Sequence, residues 1–161
     1  MLDTFKIEKF AETAKAPTEV DCCYGMLWQL YADSFAHNEM QDVSFDLNKT
    51  FCGSKMNGRA TKNGYMLHPR GRILVRTGLS IELPIKYVAE ITPIHEITQY
   101  GTTSTALHSQ GLLIERKIIM GGEVDFVAMN LGHKPVELQK GDVVAQFMIK
   151  PVYNLDIEII K

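Results

Sequence analysis

The sequence predicts an all-β chain of the sandwich, jelly-roll or barrel type. Two observations predict it: many short stretches are rich in strand-forming residues and alternate polar with apolar side chains, and glycine or proline separates them. Short strands at such spacing pack as two antiparallel sheets or close into a barrel. The pattern is strongest after residue 71, whereas the first third of the chain is less regular.

The predicted strands of the second part of the chain follow one another closely. They lie within residues 72–84, 86–92, 111–120, 123–130, 135–142, 143–149 and 155–160. The segment 111–120 is apolar except for Glu115, Arg116 and Lys117, which predicts two strands joined by a polar turn. The Gly141–Asp142 pair predicts a tight turn, because an aspartate side chain readily accepts hydrogen bonds from nearby backbone amides.

The first third of the chain gives weaker signals. Residues 25–35 are apolar enough for a buried strand or a short helix, and periodicity does not decide between the two. Residues 49–64 are polar and contain three glycines, which predicts an exposed loop or a long hairpin. With neither an internal repeat nor a linker, we predict one domain over residues 1–161 with an expanded loop at about 34–66.

The composition limits the classes of function. Hydrophobic residues make up 45% of the 161 residues and charged residues 22%, which is typical of a globular domain. The formal net charge of −2 gives no basic surface for general binding of nucleic acid. The three cysteines lack a disulfide or metal-site spacing, and neither a signal peptide nor an apolar run of about 18 residues is present. We therefore expect a cytoplasmic protein that does not bind membranes.

Two blocks of sequence carry a resemblance to a known family. The first ends in Thr-Gly-Leu-Ser-Ile-Glu-Leu-Pro at 77–84, and the second runs from Gly-Glu at 122–123 through Asn-Leu-Gly at 130–132 to Gly-Asp-Val-Val-Ala-Gln at 141–146. In order and spacing they resemble the trimeric dUTPases, and less closely the dCTP deaminases that share the fold. The resemblance implies a distorted, β-clip-like jelly roll that forms a homotrimer. It also places Gly78 and Gly132 in turns that often need a positive φ.

The residues that would carry catalysis in the family are replaced here. The aspartate of the family's first segment corresponds to Gln29, and the aspartate that activates water corresponds to Lys117. A neutral amide supplies no negative charge, and a protonated lysine accepts no proton. The aromatic position falls on Met120, residues 93–101 contain no Pro-Arg-Ser-Gly segment, and no glycine-rich arm follows Pro151. On these grounds no catalytic residue is expected.

Several residues remain candidates for ligand binding. They are Tyr100, Gly101, Thr102, Arg116, Lys117, Met120 and Gln146. Gln146 matches a family glutamine that lies near the phosphates, although a buried amide that bridges two strands explains it equally well. Arg116 and Lys117 would attract an anion if they face the cleft, and otherwise form a solvated turn. His95 and His108 lack metal-site spacing, and no metal site is predicted.

The leading functional hypothesis from sequence is a dUTPase-like protein that does not hydrolyse dUTP and needs no cofactor. It would bind a nucleotide-like ligand or a host protein, in the manner of a phage-encoded factor that sequesters a nucleotide signal. The alternative is a dUTP diphosphatase that uses Mg²⁺ and recruits replacement acids from Asp21, Asp33 or Glu115. A second alternative is a structural trimer within a larger assembly.

Overall fold

The computed structural model describes residues 4–22, 25–36, 58–94 and 111–153. The described strands are β1 Lys6–Lys9, β2 Thr18–Cys22, β3 Gly25–Tyr31, β4 Ser34–Ala36, β5 Gly58–Ala60, β6 Gly64–Leu67, β7 Arg72–Glu82, β8 Tyr87–Thr92, β9 Leu112–Ile114, β10 Lys117–Ile119, β11 Gly121–Asn130, β12 Val136–Gln139 and β13 Val143–Pro151. The all-β prediction is confirmed. In the described part of the chain, no helix is long and apolar enough to cross a membrane.

The strands form two five-stranded sheets and one small sheet. The first sheet has the order β1-β7-β11-β9, with β4 also paired to β7, and the second has the order β10-β8-β13-β3-β2. The third sheet has the order β12-β6-β5. All the pairings are antiparallel.

The hydrophobic core lies where the three sheets meet. The first sheet contributes Val75 and Phe126, the second contributes Leu30 and Ile91, and the third contributes Leu67, all with no exposed surface. Since β-strands alternate their side chains, each large sheet turns one face to this core and the other face outward. The outward face of the second sheet carries the candidate site.

Glycines are required at two positions, one within β7 and one just before β9. Gly78 has φ +68°, and an added Cβ would lie 2.7 Å from the Cβ of Ala11, so the prediction of a positive φ at Gly78 is confirmed. The same prediction for Gly132 is wrong, since Gly111 has the positive φ instead, at +94°. A Cβ at Gly111 would lie 2.6 Å from the backbone nitrogen of Gly132, so the two glycines allow the chain segments to approach closely.

The structure resolves the ambiguity in the first third. Gly25–Tyr31 and Ser34–Ala36 are strands, not a helix. The bounds predicted for the expanded loop, about 34–66, enclose too many residues. Strand β4 lies at the start of this range, and strands β5 and β6 lie at its end. The rest of that loop, at 37–57, lies outside the described residues, as does the predicted strand at 155–160.

The polar break at 115–116 is a crossover between sheets. The prediction of two strands in 111–120 is confirmed, but the expected hairpin is wrong. Leu112–Ile114 pairs with β11 in the first sheet, whereas Lys117–Ile119 pairs with β8 in the second. Lys117 is therefore a strand residue whose neighbours are fixed by pairing, and Arg116 stands just before that strand.

Candidate active site

A row of polar side chains crosses the second sheet. Gln29 on β3 lies directly opposite Gln146 on β13, and Gln146 lies opposite Thr92 on β8. Residues paired in this way point to the same face of a sheet. Phe147, the next residue along β13, is buried in the core. These three side chains therefore lie on the face of the sheet opposite the core. We call Gln29, Gln146 and Thr92 the glutamine row.

The glutamine row is buried and only partly hydrogen-bonded. Gln29 is 4% exposed and Gln146 is 5% exposed. Gln146 Nε2 donates to Thr92 Oγ1 over 3.3 Å, whereas Gln146 Oε1 and Gln29 Nε2 have no partner among the residues that the structure describes. A buried polar atom without a partner costs about 1–3 kcal/mol, so such atoms mark places where a ligand or ordered water binds. Gln146 is therefore not the fully satisfied bridging amide that the sequence left open.

A charged cluster stands beside the glutamine row. Glu90 is two residues before Thr92 on β8 and so points to the same face, about 7 Å further along the strand. Its side chain is only 12% exposed, and Arg116 Nε lies 3.3 Å from Glu90 Oε1. Lys150 Nζ bonds to the other carboxylate oxygen of Glu90. We call Glu90, Arg116 and Lys150 the Glu90 cluster.

The positions of Arg116 and Lys150 follow from strand register. Lys117 pairs with Ile91, so Arg116 comes opposite Thr92, at the end of the glutamine row. Lys150 is four residues after Gln146 on β13 and therefore shares its face. Sequence reasoning missed Glu90 and Lys150, because isolated charges in an alternating strand are typical of an ordinary solvated face.

Lys117 lies on the opposite face from Arg116. Its partner Ile91 is fully buried in the core, so the lysine points towards the inner side of the second sheet. Lys117 Nζ donates to Asp125 Oδ1 over 2.5 Å and to the Asp125 carbonyl oxygen over 3.1 Å. The structure thus brings Arg116, but not Lys117, to the glutamine row, and Asp125 neutralises the charge of Lys117.

Of the remaining predicted ligand residues, the structure describes Met120 alone. Met120 lies between β10 and β11 with 81% of its surface exposed. Tyr100, Gly101 and Thr102 lie outside the described residues, as do His95 and His108. Among the residues that the structure describes, no group of three or more histidine, cysteine, aspartate or glutamate side chains converges as a metal site.

The acids proposed from sequence as replacements lie elsewhere. Asp33 is 8% exposed; Thr13 Oγ1 donates to its Oδ1 over 2.6 Å, and Lys140 Nζ lies 3.3 Å from the same oxygen. Glu115 is exposed at the crossover, and the side chain of Asp21 is outside the described part of the structure. Glu90 is the carboxylate that register places beside the glutamine row.

Asp33 instead lines a separate polar cavity of about 460 Å³. The lining residues are Asp33, Phe35, Lys62, Asn63, Gly64, Gln139 and Lys140. The cavity lies where β4, the β5–β6 hairpin and the turn after β12 meet. None of these residues belongs to the glutamine row or the Glu90 cluster.

The described residues do not fit a Mg²⁺ ion held by protein ligands. Magnesium prefers oxygen ligands, usually one or two carboxylates together with phosphate and water. The glutamine row offers one unpartnered oxygen, on Gln146, while Gln29 presents an unpartnered N–H donor. Both oxygens of Glu90 are already paired with cations.

The fold and the glutamine row define a class of protein. A jelly-roll-like chain whose Gly-Asp-x-x-Ala-Gln segment leads into β13 has the architecture that the sequence resemblance to the dUTPases implies. The family model that matches is described as dUTPase and covers residues 60–161. The chain therefore belongs to the dUTPase family.

Sequence relatives agree with this assignment. A deoxyuridine 5'-triphosphate nucleotidohydrolase of Wolbachia sp. subsp. Brugia malayi is 33% identical over 97 residues, covering 60% of this chain and 59% of the relative. The protein of that name from Hydrogenobaculum sp. is 34% identical over 93 residues, covering 57% and 61%. The protein of that name from the Wolbachia of Drosophila simulans is 31% identical over 114 residues, covering 70% and 71%. The chain spans about three fifths of the length of the first two relatives.

Solved structures of phage dUTPases share the fold. A variant dUTPase from phage phi11 of S. aureus has a TM-score of 0.62 at 13% identity, and the match covers 99% of this chain and 97% of that one. A variant dUTPase of Staphylococcus bacteriophage 80alpha has a TM-score of 0.64 at 12% identity, covering 99% and 97%. These matches confirm the predicted dUTPase-type jelly roll.

The comparisons contradict the leading functional hypothesis. The curated relatives are named as nucleotidohydrolases of deoxyuridine triphosphate, which favours the diphosphatase alternative over a non-catalytic binder. The expectation that no cofactor is needed is not supported either, since the phi11 structure is described as coordinating a structural Mg(II) ion. The replacements predicted at Gln29 and Lys117 do not by themselves identify a protein without activity.

Proposed function

We propose that this chain is a dUTP diphosphatase, which converts dUTP and water to dUMP and pyrophosphate. Membership of the dUTPase family and the names of the sequence relatives support the proposal. The structural observation that carries it is Gln146. This glutamine of the family's Gly-Asp-x-x-Ala-Gln segment is buried, keeps one unpartnered oxygen and lies next to an acid and two cations.

The proposed chemistry needs a group that takes a proton from water. The water oxygen forms a bond to the α-phosphorus, the bond from that phosphorus to the bridging oxygen breaks, and pyrophosphate leaves. We propose Glu90 as the acid that replaces the family's aspartate, because it is the carboxylate beside the glutamine row. Phosphate binding would draw Arg116 and Lys150 away from Glu90 and leave its oxygen available to the water proton.

We extend the proposal to a homotrimer that acts on dUTP carrying Mg²⁺ on its phosphates. Ile118 lies opposite Glu90 and exposes 63% of its surface, and the neighbouring Met120 exposes 81%. Apolar side chains exposed next to a polar site are typical of surfaces that another subunit covers. Light scattering after size-exclusion chromatography tests the assembly, for which three copies are expected.

Release of pyrophosphate tests the activity directly. The full chain is incubated with Mg²⁺ and dUTP, and in parallel with UTP, dCTP and dTTP. We expect release from dUTP at well above the rate without protein, and its loss when EDTA removes Mg²⁺. Equal, background-level release from all four nucleotides would contradict the proposal.

Two variants test the named residues. Gln146→Met keeps the volume but removes the amide, so we expect lower kcat/KM with an unchanged free energy of unfolding, since an unpartnered oxygen is also removed. Glu90→Gln should lower kcat by about 100-fold, the usual contribution of a general base. Glu82→Gln is the matched control, because Glu82 is a well-exposed carboxylate on the first sheet. A Glu90→Gln variant with the wild-type kcat would exclude Glu90 as the base.

A further inference from the structure

We infer that Arg116 and Lys150 form a phosphate-binding subsite for the β- and γ-phosphates of the nucleotide. The inference rests on the proposed function, since it assigns the part of that site that recognises the leaving group. It concerns Arg116 of the crossover before β10 and Lys150 of β13, which both reach one carboxylate, Glu90.

The first argument is position. Arg116 stands opposite Thr92 at the end of the glutamine row, and Lys150 lies on the same face of β13 as Gln146. Both side chains bend back to Glu90, so their charged ends meet next to the row. Gln29 Nε2, an unpartnered donor, belongs to the same row. The face thus presents guanidinium and ammonium donors together, which suits an anion with several oxygens.

The second argument is charge balance. Each other carboxylate in the described salt bridges has one cation: Glu82 has Lys6, Glu123 has Arg76, Asp125 has Lys117 and Asp33 has Lys140. Glu90 has two, so the Glu90 cluster keeps one net positive charge. That surplus attracts a polyphosphate, and a phosphate is a better bidentate partner for arginine than a carboxylate whose second oxygen is paired with Lys150.

The third argument is access. The side chain of Arg116 is 66% exposed and that of Lys150 is 47% exposed, whereas Glu90 is 12% exposed beneath them. A ligand therefore reaches the two cations before it reaches the carboxylate. Drawing the cations away from the mostly buried Glu90 carries a cost, which charge-assisted hydrogen bonds to the phosphate offset.

Isothermal titration of the full chain tests this subsite. The probes are inorganic pyrophosphate, dUMP and an α,β-imido analogue of dUTP, and the variants are Arg116→Gln and Lys150→Gln. We expect each variant to bind pyrophosphate and the analogue about tenfold more weakly, the effect of losing one charge-assisted hydrogen bond. The affinity for dUMP should change less than threefold. Lys6→Gln is the control, because Lys6 is an exposed lysine that also pairs with a glutamate.

The outcomes separate this inference from the proposed function. If the wild-type chain hydrolyses dUTP but neither variant changes KM or pyrophosphate binding, the subsite is wrong while the activity stands. If the wild-type chain binds pyrophosphate through both residues but does not release it from dUTP, the proposed activity is wrong while the subsite stands. A wild-type chain that binds none of the three probes overturns the subsite. Circular dichroism of each variant checks that the fold is unchanged.

Discussion

Lys117 donates a 2.5 Å hydrogen bond to Asp125, and this ion pair joins the two large sheets. Lys117 begins β10 of the second sheet, and Asp125 lies on β11 of the first. Lys117, which the sequence resemblance aligns with the family's catalytic aspartate, is therefore a contact between sheets in this structure. The two side chains are 36% and 22% exposed, which places the pair between a surface and a buried salt bridge.

Removing one partner of this pair should destabilise the fold. We expect Asp125→Ala to lower the free energy of unfolding by about 1–2 kcal/mol, because Lys117 is left partly buried without its carboxylate. Lys117→Met, which keeps the apolar stem, should cost less. Urea denaturation of both single variants and the double variant measures the coupling. Strictly additive losses would mean that the two residues do not interact.

Asn130 should be the most sensitive polar position in the described part of the chain. It is fully buried; its Nδ2 donates to the carbonyl oxygens of Leu67 and Lys134, and its Oδ1 accepts from the backbone of Gly132. Asn130→Asp should cost about 3 kcal/mol or more, since it loses two donors and turns a charge towards two carbonyl oxygens.

The control for this prediction is Asn63→Asp, because Asn63 is an exposed turn residue. Thermal unfolding followed by circular dichroism compares the two variants. A similar melting temperature for both would show that the buried hydrogen bonds of Asn130 contribute little.

Restoring a carboxylate at Gln29 should make stability depend on Mg²⁺. Gln29→Asp puts a charge at a 4% exposed position next to Gln146, so without a metal we expect a loss of about 2 kcal/mol or more. Mg²⁺ binds the folded variant only, and so should raise its melting temperature. The exposed variant Gln139→Asp should show neither effect. If millimolar Mg²⁺ shifts the wild type and Gln29→Asp equally, the row does not form a metal position.

Tyr65 should make the fold sensitive to alkaline pH. Burial raises the pKa of its hydroxyl above the ordinary value of 10.0. The unfolded chain then releases this proton at lower pH than the folded chain, so the stabilisation is complete below about pH 10 and is lost as pH rises further. Urea denaturation from about pH 9 to 11 should show a steeper loss for the wild type than for Tyr65→Phe. Tyr153→Phe, at an exposed tyrosine, should match the wild type.

Strand positions were predictable from the sequence because alternation directly reflects burial on one face. Strands Arg72–Glu82 and Val143–Pro151 correspond to the predicted segments 72–84 and 143–149; burial alternates at both ends of the first, whereas the second buries the four consecutive residues 144–147. The Asp142 turn was also predictable, since its side chain accepts the Gln139 amide over 2.8 Å as the local motif implies. Local chemistry determines both features.

The site was less predictable, because it depends on pairing between distant strands. Nothing near Gln29 in the sequence indicates that Gln146 lies opposite it, or that Lys150 reaches Glu90. The separation of Arg116 from Lys117 depends on which sheet a three-residue strand joins. A one-residue change in that register would exchange the faces of the two cations.

The short crossover at 115–116 connects edge strands of both large sheets and carries the Arg116 side chain. Only two residues separate β9 from β10. We therefore expect an anion that binds the Arg116 side chain to restrain strands in both sheets. Amide hydrogens of Leu112–Ile114 and Lys117–Ile119 should then exchange with solvent at rates that fall together when an anion binds. In this chain, an anion bound at the crossover would reduce the local opening of both edge strands.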